Sequence, residues 1–247
     1  MSGHSKWATI KHKKGAADAK RGQMFTKLIK EISIAARLGG GDANANPRLR
    51  AAVIKARTAN MPKDNIDRAI KKGLGELDGV TYMEITYEAY GPGGVAILVD
   101  VMTDNKNRTA AEIRNILNKG GGNLGESGSV SYLFKRKGII GFDGAKYTED
   151  QILEVALDAG AEDVSTEGAT IEVSTDPDDF EKVLAALENA GLTHGSAEIT
   201  KVADTYITLD NEKTGKVIRL IEILDDHDDV QSVSSNIDIP DDYTPDE

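Results

Sequence analysis

The sequence predicts an α+β protein in which a three-helix bundle precedes two α+β units, one inserted in the other. Three observations lead there. The apolar period is helical from Phe25 to about residue 78 and strand-like from Thr81 onward. Residues 135–202 spell a complete β-α-β-β-α-β unit. The segments on either side of it, 95–134 and 205–234, each read as half of a further unit that needs the other half.

The elements follow in order. Residues 1–22 hold little apolar content and three glycines, and read as an extended or conditionally ordered arm. In the first helix Phe25, Leu28, Ile29, Ile32 and Ala36 share a face, and Gly39 stops it. Asn46-Pro47 opens the second as N-cap and first residue, with Leu49, Ala52, Val53 and Ala56 on one side. Pro62 opens the third, which carries Ile66, Ala69 and Ile70 and ends at Gly73. Together these give a bundle over 23–79.

Beyond Thr81, Met83 to Tyr87 alternates as a strand, Gly91-Pro92-Gly93-Gly94 turns, and Val95 to Val101 reads as a buried strand. A helix is expected over 109–119, with Thr109 and Glu112 as a capping box and Gly120 just past its end. Another strand is expected over Ser129–Phe134. The inserted unit begins with a strand over Gly138–Phe142 and a helix from Thr148, with Gln151 three residues on. Strands around Val164 and Ile171–Val173 come next, then a helix capped by Asp176-Pro177 and a strand over Ala197–Val202. A strand (Thr205–Leu209), a helix (about Asn211–Asp225) and a strand (Val230–Ser234) complete the outer unit. Both units are expected to be ferredoxin-like, the outer one over 80–134 plus 203–240 and the inner one over 135–202. From Asp238 the acids and Pro240 and Pro245 predict a disordered tail, with 241–247 its acidic end.

Composition removes whole classes of chemistry. With 247 residues the chain has room for two or three domains, and 39% apolar with 29% charged residues supplies both cores and a hydrated surface. There is no cysteine, so disulfides, zinc ribbons, iron–sulfur sites and thiol catalysis are excluded. No run approaches the roughly 18–20 apolar residues of a spanning helix, so no membrane association is expected. Met-Ser-Gly-His lacks the apolar core of a secretory signal, which predicts a cytoplasmic location.

The net charge of −11 conceals a division. Residues 1–80 carry 17 Lys and Arg against 7 Asp and Glu, whereas 81–247 carry 13 against 34. Within the first thirty residues eight basic side chains face only Asp18. A basic head on an acidic body points to a polyanionic partner at one end and its repulsion elsewhere.

Other motifs carry less. Gly120 to Gly128 is glycine-rich, but it follows a helix, leads into a strand and holds no lysine, so it reads as a turn rather than a phosphate loop. The four histidines show no metal-binding spacing, and Asp225-Asp226-His227-Asp228-Asp229 reads as an acidic, solvated helix end. No nucleophile elbow is present, and no enzyme activity, catalytic residue, metal or cofactor is expected. The second and third helices resemble a helix-turn-helix in spacing, although Asp64 and Asp67 on the third would meet phosphates in a groove.

The nucleic-acid contacts are therefore sought in the head: Lys6, Trp7, Lys11, Lys13, Lys14, Lys20, Arg21, Lys27, Lys30, Arg48 and Arg50. The lysines neutralise phosphate, and Trp7, the only tryptophan, either stacks on a base or packs on the bundle. The expected partner is DNA or ribosomal RNA, with the acidic units orienting the molecule or meeting a ribosome or protein partner; the alternative is a protein-interaction adaptor in which the α+β units are the working part.

Particular motifs add a resemblance: Gly3-His4-Ser5-Lys6-Trp7, Asp18-Ala19-Lys20-Arg21-Gly22, Phe25-Thr26-Lys27-Leu28 and Asn46-Pro47-Arg48-Leu49-Arg50. Asn60-Met61-Pro62, Tyr90-Gly91-Pro92-Gly93-Gly94, Asn107-Arg108-Thr109, Gly121-Gly122-Asn123-Leu124-Gly125 and Arg136-Lys137-Gly138 continue it. Over nearly its whole length the chain resembles the YebC family, which includes bacterial members and mitochondrial translational activators of cytochrome oxidase. It departs at Ala43, where relatives place Pro, and at Ala89, where they place Gly and a Cβ now stands near the turn. The resemblance implies a three-domain α+β protein with a helical N-terminal domain. It implies either a DNA-binding transcriptional regulator or a ribosome-associated translation factor that eases stalled elongation.

Overall fold

The structure, a computed structural model, describes residues 17–240 and Tyr243, excluding the side chains at 17–20 and 167. Helix α1 runs over Ala17–Gly39, α2 over Pro47–Thr58 and α3 over Lys63–Gly73. Residues 17–22, expected in the arm, belong instead to α1, and the rest of the expected arm lies outside the described residues. Ala17, Ala19, Lys20 and Arg21 are good helix formers, and they continue the periodic segment through the penalty of Gly22.

Both α2 and α3 pack on α1. Leu28, Ile32, Ala35 and Ala36 meet Leu49, Ala52, Val53, Ala56, Met61, Ile66 and Ala69 in one core. The alanines let the helices approach closely. Gly73 lies so near the Ser33 carbonyl that a Cβ would collide with it. Asn46 caps α2 as its spacing requires, accepting from the Leu49 N–H at 3.1 Å, and its amide also donates to the Ala35 carbonyl at 2.8 Å. In the α2–α3 turn Asn60 takes a φ of 59°, and among the described residues it is the only non-glycine to do so.

The β region begins with β1 (Met83–Tyr90), β2 (Ala96–Thr103), α4 (Lys106–Lys119) and the two-residue β3 (Asn123–Leu124). Next come β4 (Phe134–Asp143), α5 (Glu149–Ala159), β5 (Asp163–Glu167), β6 (Thr170–Thr175), α6 (Phe180–Asn189) and β7 (Ser196–Ala203). The chain closes with β8 (Ile207–Thr208), α7 (Asn211–Asp225), β9 (Val230–Ser235) and β10 (Ile237–Asp238).

Strands β4 to β7 form one antiparallel sheet in the order β5-β6-β4-β7, with Ile140, Phe142, Ile171 and Val173 packed against α5 and α6. The other four-stranded sheet has the order β3-β1-β2-β9, so the last long strand of the chain pairs with β2. Here Ile97, Val99 and Val101 face Ile113, Leu117, Val217 and Leu220 of α4 and α7. Ala96 and Leu98, on the opposite side, pack with Val130, Leu133 and Phe134. This sheet centres on the β1–β2 hairpin, an order different from that of the β4–β7 sheet, so the ferredoxin-like pattern expected for it is corrected. Ala89 fits without distortion: it is fully buried, and β1 keeps register from Met83↔Thr103 to Tyr90↔Ala96.

Other local expectations are also corrected. The strand expected over 129–134 is a single helical turn at Ser131–Leu133, and β4 begins only at Phe134. The expected strand over 205–209 shrinks to β8, which pairs in parallel with β10 as a separate two-stranded sheet. Helix α4 starts three residues early, because Asn105 accepts from the Arg108 N–H at 3.1 Å and takes the cap from Thr109. Helix α6 starts at Phe180, since Asp176 caps the preceding turn instead, accepting from Asp178 N–H at 2.9 Å. Ile239, which was expected in a disordered tail, is buried in the core, and the acidic end expected over 241–247 lies, apart from Tyr243, outside the described residues. By contrast, the capping box of α5 forms as read, between Thr148 and Gln151.

The glycine-rich run is occupied from within. Glu88 is buried and its carboxylate accepts N–H bonds from Gly128 at 2.6 Å, Val130 at 2.7 Å and Ser131 at 2.8 Å. Burial alone would raise its pKa, but these donors outweigh it and hold the group below the usual carboxylate range. Replacing Glu88 with Ala strands three N–H groups and is expected to lower stability by about 2–4 kcal/mol. Urea unfolding checks this, and a loss under about 0.5 kcal/mol contradicts it.

Candidate nucleic-acid interface

The structure sorts the expected contacts into two populations. Lys6, Trp7, Lys11, Lys13 and Lys14 lie outside the described residues, as does the side chain of Lys20. Arg21 is exposed near the start of α1, and Arg50 is exposed on α2 with only a 3.3 Å bond to the Asn44 carbonyl.

Lys27, Lys30 and Arg48 are different, because each is held by the molecule itself. Gln23, Lys27 and Lys30 lie at i, i+4 and i+7 along α1 and face the end of α7 and the turn after it. Gln23 donates to the Asp226 carbonyl at 3.0 Å and Lys27 to the Asp225 carbonyl at 2.7 Å. The Lys30 ammonium lies 2.5 Å from Asp229 Oδ1 and donates to the Asp228 carbonyl at 2.9 Å, with the Tyr82 ring 5.6 Å away. Lys30 is only 6% exposed and Asp229 only 5%. Asp229 Oδ2 accepts from Thr109 Oγ1 at 2.7 Å and Arg108 Nη2 at 2.8 Å. Desolvation pushes the Asp229 pKa up, but the bonds from Lys30, Thr109 and Arg108 prevail and hold it far below the usual range.

Arg48 makes a second tie. Its Nε and Nη2 reach the Glu31 carboxylate at 2.8 and 3.1 Å, and its Nη2 and Nη1 reach Glu84 at 2.5 and 3.1 Å. The Glu31 bonds, then those of Glu84, raise its pKa further. Lys27, Lys30 and Arg48 are thus engaged within the molecule, where they join the bundle to the β region. The acidic run 225–229, expected to be solvated, is the counterpart of Lys27 and Lys30, with Asp226 and Asp228 still exposed. His227 completes the turn, with Nε2 3.0 Å from Glu112 Oε2 and Nδ1 accepting from the Asp229 N–H at 3.1 Å.

Glu112, His227 and Asp229 offer ligand atoms within 4.8 Å of one another, which is suitable spacing for a cation. Lys30 and Arg108 already occupy both carboxylate oxygens of Asp229, so the group reads as a charge-satisfied joint.

Other bundle cations remain open. Arg37, Lys55, Arg57, Lys63, Arg68, Lys71 and Lys72 are exposed and, among the described residues, form no ion pair. They were absent from the expected contacts because basic residues are densest in the terminal cluster. On α2 the signal was legible: Arg50, Ile54 and Arg57 recur at i, i+4 and i+7 on a face distinct from that of Leu49, Val53 and Ala56.

A helical head with open cations, ion-paired to an acidic body of antiparallel sheets, defines a class of α+β protein built around charge separation. Comparison with known proteins says which one. The model described as the TACO1/YebC protein N-terminal domain matches residues 5–76, and that of the TACO1/YebC second and third domain matches residues 82–237. The chain belongs to the TACO1/YebC family. A relative from Treponema denticola, named "Probable transcriptional regulatory protein", is 63% identical over 98% of both chains. One from Desulforapulum autotrophicum, also named a probable transcriptional regulatory protein, is 57% identical over 98% of both. The crystal structure of a conserved hypothetical protein from Aquifex aeolicus superposes with a TM-score of 0.84 at 46% identity, covering 94% of this chain and 97% of that one. Among the described residues no helix is long and apolar enough to cross a membrane.

Proposed function

We propose that this protein is a cytoplasmic, non-enzymatic regulator of gene expression that binds nucleic acid through its basic arm and the open cations of the helical bundle. The division of charge at residue 80 carries the reading: the excess of Lys and Arg sits before it and the excess of acids after it. The names of the Treponema and Desulforapulum relatives support a regulatory role. In this reading the chain divides into the bundle, a split α+β unit over 80–134 plus 203–240, and a ferredoxin-like unit over 135–202 inserted in it. Sheet membership supports that division, since β9 pairs with β2 across the whole β4–β7 unit. The acidic units turn polyanion away and leave the head as the side of approach.

A second reading, a translation factor on ribosomal RNA, is favoured by one observation. Asp64 and Asp67 are exposed on α3 beside Lys63 and Arg68, which opposes insertion of that helix into a duplex groove. Contact with the backbone of a folded RNA does not require insertion.

Salt titration tests the shared claim. If about six phosphates are neutralised, log affinity for duplex DNA falls against log salt with a slope of about −5, and less steeply on single strands. A slope shallower than about −1 on both DNA and a ribosomal RNA fragment would overturn it. Sedimentation of cell lysate then separates the readings, according to whether ribonuclease or deoxyribonuclease releases the protein from its heavy fraction.

A further inference from the structure

Where the bundle meets the β region, a cleft of about 250 Å³ opens between the second half of α1, the end of α3 and the segment leading into β1. Two cations stand in its lining, Arg37 on α1 and Lys72 on α3, both exposed and without an ion pair among the described residues. Beside them Leu74, Leu77 and Val80 are 42%, 42% and 54% exposed. The helix dipole accounts for cations in the last turns of α1 and α3. It does not account for three large apolar side chains left in water around one concavity.

Two cations beside three part-exposed apolar side chains suit an anion with an apolar body. The space is smaller than the roughly 300 Å³ from which drug-sized pockets begin, so one small group fits and a whole dinucleotide does not. A duplex keeps its base faces stacked inside, whereas a single strand presents phosphate, sugar and base together. We propose that this cleft seats one nucleotide of a single-stranded nucleic acid. Its phosphodiester lies between Arg37 and Lys72, and its sugar and base lie against Leu74, Leu77 and Val80. The proposal rests on the nucleic-acid reading above and deepens it by naming the strandedness of the partner.

The test uses the full chain and fluorescence anisotropy on three probes of about 12 nucleotides: a uridine oligomer, a thymidine oligomer and a DNA duplex. The double variant Arg37→Gln/Lys72→Gln is expected to bind both single strands about tenfold more weakly, with a salt slope shallower by about 0.7 for each phosphate no longer neutralised. Duplex affinity should fall by a clearly smaller factor, about threefold, because Arg37 and Lys72 also belong to the open cations of the bundle but a duplex cannot seat a base in the cleft. Leu77→Asp should weaken single-strand binding to a similar degree, while far-UV circular dichroism and the melting temperature stay as in the parent. Similar losses on both single strands place the recognition in phosphate and base. A larger loss on uridine adds the 2′-hydroxyl and also supports the site. Unchanged affinity in both variants overturns the proposal, as does an equal loss on the duplex or displacement of the oligomers by hexaglutamate at equal concentration. If the cleft variants bind normally and an arm variant does not, the nucleic-acid reading stands and only the cleft falls. If the parent protein binds none of the three probes, both fall.

Discussion

Asp229→Ala is expected to lower the free energy of unfolding by about 3–5 kcal/mol, the cost of leaving a buried charge uncompensated. The side chain receives Lys30, Thr109 and Arg108 on its two oxygens, and Lys30 has no water to fall back on. Lys30→Met removes the other charge and should be costly too, because Asp229 then loses its closest cation. The double variant Lys30→Met/Asp229→Ala should cost less than the two single changes together, with a coupling of at least about 1 kcal/mol. Urea unfolding measures all three. Proteolysis between residues 74 and 82 should rise in parallel as the bundle loosens from the sheets. The effect depends on pH with a definite sign. The folded pKa of Asp229 is depressed, so its contribution is complete above the unfolded value of about 3.9 and declines as pH falls below that toward the folded value. Parent and Asp229→Ala stabilities should converge in acid. A difference that stays constant from neutral pH to well below 3.9 would contradict this account.

The second large effect is on binding. Reversing Lys11, Lys13 and Lys14 to Glu should weaken nucleic-acid affinity about a hundredfold near 0.1 M salt and flatten the duplex salt slope by about 2.7, the share of three neutralised phosphates. Thermal stability should hardly move. Lys30→Glu supplies the contrast: placed against Asp229, it should unfold the joint. An arm variant that binds with unchanged affinity and slope would remove the arm from the interface. The open cations Arg50, Lys55 and Arg57 would then be the next to reverse.

Local signals were readable where a residue's partner lies within a few positions. Asn46-Pro47 announces α2 because a cap needs only the N–H three residues on, and Thr148 with Gln151 announces α5 for the same reason. Thr109 and Glu112 present the same pattern and mislead. Asn105 takes the cap, Thr109 turns inward to Asp229, and Glu112 turns to His227. A motif of four residues cannot show that a buried carboxylate 120 positions away will claim its hydroxyl. The run 225–229 misleads in the same manner. Five polar residues at a helix end look solvated until Lys27 and Lys30, 198 residues upstream of their carbonyl partners, are laid across them.

By itself, then, the amino-acid order determined the helical head, the β-rich body, the absence of thiol chemistry and the opposition of charge between the two. These follow from periodicity, composition and capping, which act over a turn or a strand. Tertiary structure alone decided which cations remain available. Coulombic pairing and desolvation depend on distance in space, so of the basic residues on α1 and α2, Lys27, Lys30 and Arg48 became joints while Arg37, Arg50 and Arg57 stayed in water.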